Sequence, residues 1–423
     1  MSQRLEELLD QLHDPAPRRR EQALRRLRRR ARTGLTSTEG LLVLKASSLP
    51  HPPSRATEED VAVELIRAAL QKPFPEYLPA ITARFSRWSR RARREALNLV
   101  MRIDDPRAAE AIVEIVRRHG RTGGVPSLPL GQSAQQLQHA DIYFPALLEF
   151  IDVPKLAFSI AALALGFAGE HLIDPAMLLP HADRFLQLLR RRRDWLGPRQ
   201  ETEGFAWMWE PSYHLRRWKA GVLLDLLGHL PTPAVEVELR RCLLEFTDSR
   251  LRMGVVLSLL RHDAPVDPKS VAEIAASSEC RKWLFDGLHK LERSHLFPRE
   301  WRTQTALAES DLVNWLLHPT ELGRPPDEIE FVQTVPFDTE TDAGWADIFL
   351  FRFRTHPPHW AARDGWMAGV AGPFLRKDQP TVDALGDTFS AFTPWDRKSV
   401  AEHVDDVREL IKTWRERHVV QEE

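Results

Sequence analysis

His356 and His359 flank Pro357 and Pro358, and Asp364 follows within the same stretch, THPPHWAARDGWMAGVAGPF (355–374). A proline pair favours a polyproline conformation with three residues per turn, which lets both imidazoles project the same way. With the carboxylate they would make three ligands of types that zinc accepts. A closed site also needs a further fixed ligand and second-shell support. In this part of the chain only His403 is a further candidate. A connector explains the same residues: the prolines end a strand, and Gly365 opens a run of small residues suited to close packing. The connector is the reading taken, so no metal site is expected, with His356, His359 and Asp364 the residues to watch.

Three other constellations could carry chemistry. Arginines cluster nine deep in 18–32, six in 84–94 and four in 190–193. Such runs can track a phosphate backbone, and Arg87, Arg90, Arg91 and Arg94 are the residues assigned to that alternative. Against it, the chain uses 49 arginines and 10 lysines, a compositional habit, and the first two runs fall opposite an apolar stripe, as a solvated face would. The aromatic knot FAWMWEPSYHLRRW (205–218) follows the third run directly. Trp207, Trp209, Tyr213 and Trp218, with Arg191 and Arg192, are residue types enriched at interface hot spots and are taken as the partner-binding set. The acidic turn DTETDAGWAD (338–347) has Asp338, Glu340 and Asp342 at alternate positions. Its glycine comes one place late for a calcium loop and Phe349 stands where the glutamate belongs, so it reads as a hairpin tip.

No nucleophile elbow, zinc-protease, dinucleotide, phosphate-loop or CxxC motif occurs. GRTGG in the loop 119–140 lacks the Gly-Lys-Ser/Thr ending of a phosphate cradle, and that loop is read as a mobile or partner-contacting segment. Only Cys242 and Cys280 are present, too few for a disulfide framework or a cysteine zinc site. No catalytic residue and no cofactor is assigned.

The elements that must position these residues are mostly helical. Phe85, Trp88, Ala92, Ala96, Leu99 and Ile103 recur at helical steps and predict one helix over 84–103. DDP stops it, and RAAEAIVEIVRRHG begins the next, ended by Gly120. Further helices are predicted at 3–13, 20–32, 58–71, 156–168, 176–193, 235–246, 269–277, 280–292 and 304–317. The most apolar run, LAFSIAALALGFAG (156–169), is too short to span a bilayer of about 30 Å and predicts a core helix. The start, MSQRLEELLDQL, lacks the layout of a secretory signal, so the expected location is cytoplasmic. From 320 onward the pattern changes to the strands DEIEFVQTVPF, ADIFLFRFRTH and GWMAGVAGPF, then a closing helix with Val400, Val404, Val407, Ile411 and Trp414 on one face. Charge changes too, from 47 basic and 40 acidic residues in 1–319 to 12 and 20 in 320–423.

A shift of 33 residues lays RWKAGVLLDLLGH (217–229) on RLRMGVVLSLLRH (250–262), with seven of thirteen positions identical. A hairpin that cannot bury its apolar face alone must stack on its neighbours. RREALNLVMRIDDPRAAEAIVEIVRR (93–118) resembles a HEAT repeat of the short, phycobilisome-lyase-like kind, and 246–276 is a weaker copy. Residues 320–423 resemble a piece that follows HEAT-like helices in uncharacterised bacterial proteins. The resemblance implies a mostly α, armadillo-like α-solenoid over 1–319 and a small α+β capping domain over 320–423. The function expected is a non-enzymatic scaffold that binds another protein. Nucleic-acid binding is one alternative and a ligand site in the C-terminal domain another.

Overall fold

The computed structural model describes residues 2–51, 60–126, 128, 140–196, 211–318, 321–340, 342, 344–356, 365–378, 380 and 393–419. The chain is mostly helical, with a C-terminal four-stranded antiparallel sheet. It forms two compact units, Met1–Arg191 with Asp225–Val235, and Arg192–Leu224 with Glu236–Glu423. Among the described residues, no helix is long and apolar enough to cross a membrane.

The first unit begins with α1 (Ser2–Asp10), α2 (Pro17–Arg32), α3 (Ser37–Ser47) and α4 (Val61–Leu70). It continues with α5 (Tyr77–Arg84), α6 (Arg90–Met101), α7 (Pro106–His119), α8 (Ala140–Leu148) and α9 (Pro154–Gly169). Starts are set by side-chain caps that satisfy the free amides of a first turn. Thr36 and Glu39 make a reciprocal capping box on α3, and Asp60, Ser89 and Asp105 cap α4, α6 and α7. The Asp-Pro-Arg turn works as its residues dictate: Asp105 Oδ1 accepts the Arg107 amide at 2.9 Å while Pro106 takes the position that needs no donor. Packing is between near neighbours in the chain. Helix α6 meets both α4 and α7, and α5 meets α7.

The helix predicted over 84–103 is divided. Phe85–Arg87 is a 3-10 turn and Trp88 is extended, so α6 starts only at Arg90, where the Ser89 hydroxyl accepts the Ala92 amide. Phe85 and Trp88 are buried nonetheless. The apolar spacing marked the right core residues but could not see that a cap was available inside the stripe.

Helix α10 (Ala182–Leu196) is preceded by a 3-10 segment, Pro175–His181, that holds Pro180. The second unit then builds on α11 (Pro211–Leu227), α12 (Pro233–Glu245), α13 (Ser249–Arg261), α14 (Pro268–Ala276), α15 (Arg281–Lys290) and α16 (Gln304–Leu316). The 33-residue repeat has a steric basis here. A Cβ on Gly254 would meet Leu224 Cδ1 at 3.6 Å, and one on Gly287 would meet Leu257 Cδ1 and Cδ2 at 2.7 and 2.9 Å. Leu224 and Leu257 are 33 apart, as are Gly254 and Gly287. Each leucine sits in the notch that the helix after next leaves by having no side chain. Ser258 Oγ adds a hydrogen bond to the Leu224 carbonyl at 2.8 Å, drawing α13 onto α11.

Strands β1 (Glu328–Asp338), β2 (Trp345–Arg354), β3 (Trp366–Leu375) and β4 (Thr393–Pro394) pair in sequence order. The two inner strands are buried on both faces, which is why they read as apolar runs rather than alternating ones. One face, with Phe349, Phe351, Phe353 and Phe374, joins a single core with Leu284, Leu288, Leu307 and Leu312 of α15 and α16. The other, with Val335, Ile348, Leu350 and Val370, is covered by Val404, Val407, Ile411 and Trp414 of α17 (Val400–Val419).

The notches differ in depth, and stability should report it. Gly254→Ala meets only ordinary contact, so it should be neutral or gain up to about 1 kcal/mol from helix propensity. Gly287→Ala must displace Leu257 and should lose about 1–3 kcal/mol, as overpacked cores do. Urea unfolding of the two variants checks this; equal effects would mean the leucine-in-notch packing is absent.

Candidate functional site

The fold sorts the arginines into three environments. The first is interior. Arg281 is 2% exposed, its Nε donating to the Ala275 carbonyl at 2.9 Å and its Nη1 to the Ala306 carbonyl at 3.0 Å, with Cζ 3.9 Å over the Trp301 ring. Arg193 is buried between Glu238 and Glu245. Arg217 reaches Asp248 and Glu279, both at 3.3 Å, and Arg250 Nε meets the same Glu279 oxygen at 2.5 Å. Arg93 donates to the carbonyls of Phe85, Ser86 and Gly124, tying α6 to the start of the loop 119–140. Residues 127 and 129–139 of that loop lie outside the described residues.

The second environment is the ion-paired surface. A ladder runs from Arg28 on α2 to Glu64 on α4, through Arg67, to Glu95 on α6. Arg25, Arg118, Arg240 and Arg241 pair with glutamates four residues away on their own helices. The third is exposed and carboxylate-free. Arg87, Arg90, Arg91 and Arg94 are all exposed, and among the described residues none has an ion-pair partner.

The partner-binding set is dispersed by this sorting. Trp207 and Trp209 lie outside the described residues. Tyr213 is a correction: it is fully buried, its hydroxyl donating to Asp248 Oδ2 at 2.8 Å, and it offers no surface to a partner. Burial and the neighbouring Asp248 carboxylate push its phenol far above the ordinary range. Arg191 is exposed and Arg192 half-buried on α10. Arg216 stacks 3.7 Å over Trp195, and burial together with Arg192 and Arg216 lowers the Lys219 ammonium. Trp218 remains half exposed on α11.

The histidine stretch is only partly described: His359 and Asp364 lie outside the described residues. The His356 amide donates to Asp327 Oδ2 at 2.6 Å and its ring lies 3.6 Å from Glu328. His403 is buried, stacked 4.4 Å from the Trp395 ring, with Nε2 3.1 Å from the Trp395 carbonyl. Among the described residues no three His, Cys, Asp or Glu side chains are placed to hold a metal ion. In the acidic turn, Arg415 donates to the Asp338 carbonyl and pairs with Glu340 at 2.9 Å. Burial pushes the Cys242 and Cys280 thiols up to about 12, so neither is a thiolate at neutral pH.

Among the described residues two open clefts have about 600 Å3 each, a size that suits a ligand or an inserted side chain, and a smaller one of about 350 Å3 lies between β1 and α17. Of the two larger clefts, one, between α1 and α2, is lined by Arg4, Glu7, Leu8, Arg26 and Arg29. The other, between α12 and α14, is lined by Arg240, Leu243, Leu244, Phe246 and Val266. Sequence reasoning missed this second cleft, although a signal existed. Val235, Leu239 and Cys242 form the buried stripe of α12, continued by Phe246 just past its end, and Val237 and Leu244, seven apart, fall off it. Comparison with family models, with curated proteins and with solved structures found no match.

The Tyr213 assignment has a direct check. Tyr213→Phe keeps the packing and leaves Asp248 one donor short, a loss of about 1.5–3 kcal/mol for a hydrogen bond to a charged group. Tyr213→Ala should cost about 3–5 kcal/mol through the cavity it opens. Denaturant titration measures both; a stable Tyr213→Ala protein would put the ring back on the surface.

Proposed function

We propose that the chain is a HEAT-like helical scaffold that binds another protein, with the main contact on the helices of the second unit. The reading rests on one observation: large apolar side chains stand in solvent on well-packed helices there. Leu244 is 87% exposed and lines the α12–α14 cleft, and Val237, seven residues earlier on the same face of α12, is 69% exposed. Trp218 on α11 and Trp283 on α15 are 50% and 56% exposed. Single exposed apolar residues are ordinary, but two on one helix face, one of them at a cleft, form a candidate interaction site. Trp anchors are common among residues that dominate binding energy.

The stacked reading of the helices draws on neighbour-only packing and on the leucine-and-glycine notches repeated at 33 residues. An array of this kind presents a surface long enough to hold an extended partner. The buried thiols and the absorption of Tyr213 into the core favour binding over nucleophilic chemistry.

Affinity capture with cross-linking tests the proposal, comparing wild type with Val237→Glu/Leu244→Glu and with Trp218→Ala. These positions are exposed, so circular dichroism should be unchanged. A specific partner should fall at least about tenfold in the α12 variant, equivalent to one hot-spot contact of about 1.4 kcal/mol. Recovery of the same proteins in the same amounts by every variant would remove the proposal.

A further inference from the structure

We propose that the exposed arginine face of α6 binds the phosphate backbone of a nucleic-acid duplex. The first hundred residues carry 20 basic and 12 acidic side chains, and in the structure several of the acids are already engaged. Asp14 and Glu21 are taken by Arg19 and Arg25, Glu39 by Arg30, and Glu64 and Glu95 by Arg28 and Arg67. Asp60 is engaged by the α4 amide of Ala62 and by the Ser89 hydroxyl. Arg87, Arg90, Arg91 and Arg94 are left exposed with no carboxylate partner among the described residues.

Their position makes the arrangement unfavourable unless an anion arrives. Arg90 and Arg91 open α6, whose first turn has no acidic residue. This is the positive end of the helix dipole, where cations are disfavoured. At 100° per residue Arg90, Arg91 and Arg94 span a 100° arc, so their charges face one way. A compositional preference for arginine explains why these are not lysines. Arg18, Arg26, Arg29 and Arg32 on α2 are exposed without a carboxylate partner among the described residues as well, so what sets the α6 group apart is four such arginines within eight residues around one helix start.

The same surface says which polyanion fits. Protein interfaces have an apolar centre. Among the described residues, the exposed large apolar side chains of the first unit are Leu49, Ile142, Leu172 and Leu179, none of them on α6. Binding to phosphates needs no such centre, because it is driven by counterion release. Single-stranded ligands are held by bases stacked on aromatic side chains. The aromatic residues next to this face, Phe85 and Trp88, are buried. What remains is a sequence-neutral contact to the backbone of a duplex.

Fluorescence anisotropy of the full chain with a labelled 20-base-pair duplex tests this, using DNA and RNA in separate titrations. Four phosphate contacts imply that affinity falls about 150-fold between 50 and 200 mM salt. The variant Arg87→Gln/Arg90→Gln/Arg91→Gln/Arg94→Gln should lose most of the binding at 50 mM salt and most of its salt dependence. A charge-matched control, Arg25→Gln/Arg118→Gln/Arg240→Gln/Arg241→Gln, removes ion-paired arginines and should bind as wild type does. Binding of either duplex with this pattern supports the proposal and identifies the nucleic acid. Failure to bind both at 50 mM salt overturns it, as does equal loss in the two variants. Displacement by poly-glutamate as effective as by unlabelled duplex would overturn it too.

Discussion

Arg281 carries a formal charge into a site from which water is excluded, and the second unit is arranged so that this charge is never left alone. Its Nε and Nη2 donate to the Ala275 and Ala276 carbonyls, in the last turn of α14, where acceptors are free and the dipole is negative. Nη1 reaches the Ala306 carbonyl and Glu309 on α16, and the guanidinium plane lies over Trp301. Burial lowers its affinity for a proton, with Glu309 acting against this. One side chain therefore fixes α14, α15 and α16 together. An uncompensated buried charge costs several kcal/mol, so any movement that broke these bonds would be heavily opposed. Helix α16 in turn packs on the sheet through Leu312, which lies against Gly369 of β3, and through Gln304, which donates to the Leu375 carbonyl at 3.1 Å. The phenylalanine-rich sheet face joins the same apolar core.

The same device recurs between alternate helices of this unit. Arg193 with Glu238 and Glu245, and Arg217 with Asp248 and Glu279, are buried or nearly so. Asp248 is used twice, since Oδ1 caps α13 through the Arg250 and Leu251 amides while Oδ2 takes Tyr213 and Arg217. Arginine suits this role because its charge persists at all accessible pH values and its planar fork holds several acceptors at once. The result is polar joints between helices set into otherwise apolar packing.

Much of the architecture was legible in the sequence because its signals are local. The three long strands fall within a residue or two of the expected spans, and Asp105-Pro106-Arg107 starts a helix as its chemistry requires. The 33-residue period was visible as matched letters, and its physical basis is leucines seated over glycines. Other features depend on partners distant in the chain. Arginine runs read as solvated faces because helical periodicity places charge opposite the stripe. It cannot show that Arg193 and Arg281 meet carboxylates and carbonyls brought in by other elements. Tyr213 looked like part of an aromatic surface knot, yet its acceptor is 35 residues away. Exposed Leu244 is the reverse case, an apolar residue off the stripe that composition counts as core. Helices α3, α5 and α8 escaped the periodicity reading altogether. Small residues and prolines dilute their pattern, as in α8, which holds Pro145 within the helix.

The central claim is that a buried arginine makes the last helices and the sheet one cooperative body. Native-state hydrogen exchange on Arg281→Met, followed amide by amide, measures it most directly. Methionine keeps much of the stem and removes the charge and its donors. The expected result is that α15, α16, β2 and β3 lose protection together and by the same factor, while α2 to α7 keep theirs. Full protection of β2 and β3 in a protein whose α15 and α16 have become labile would contradict it, showing that the sheet folds on its own.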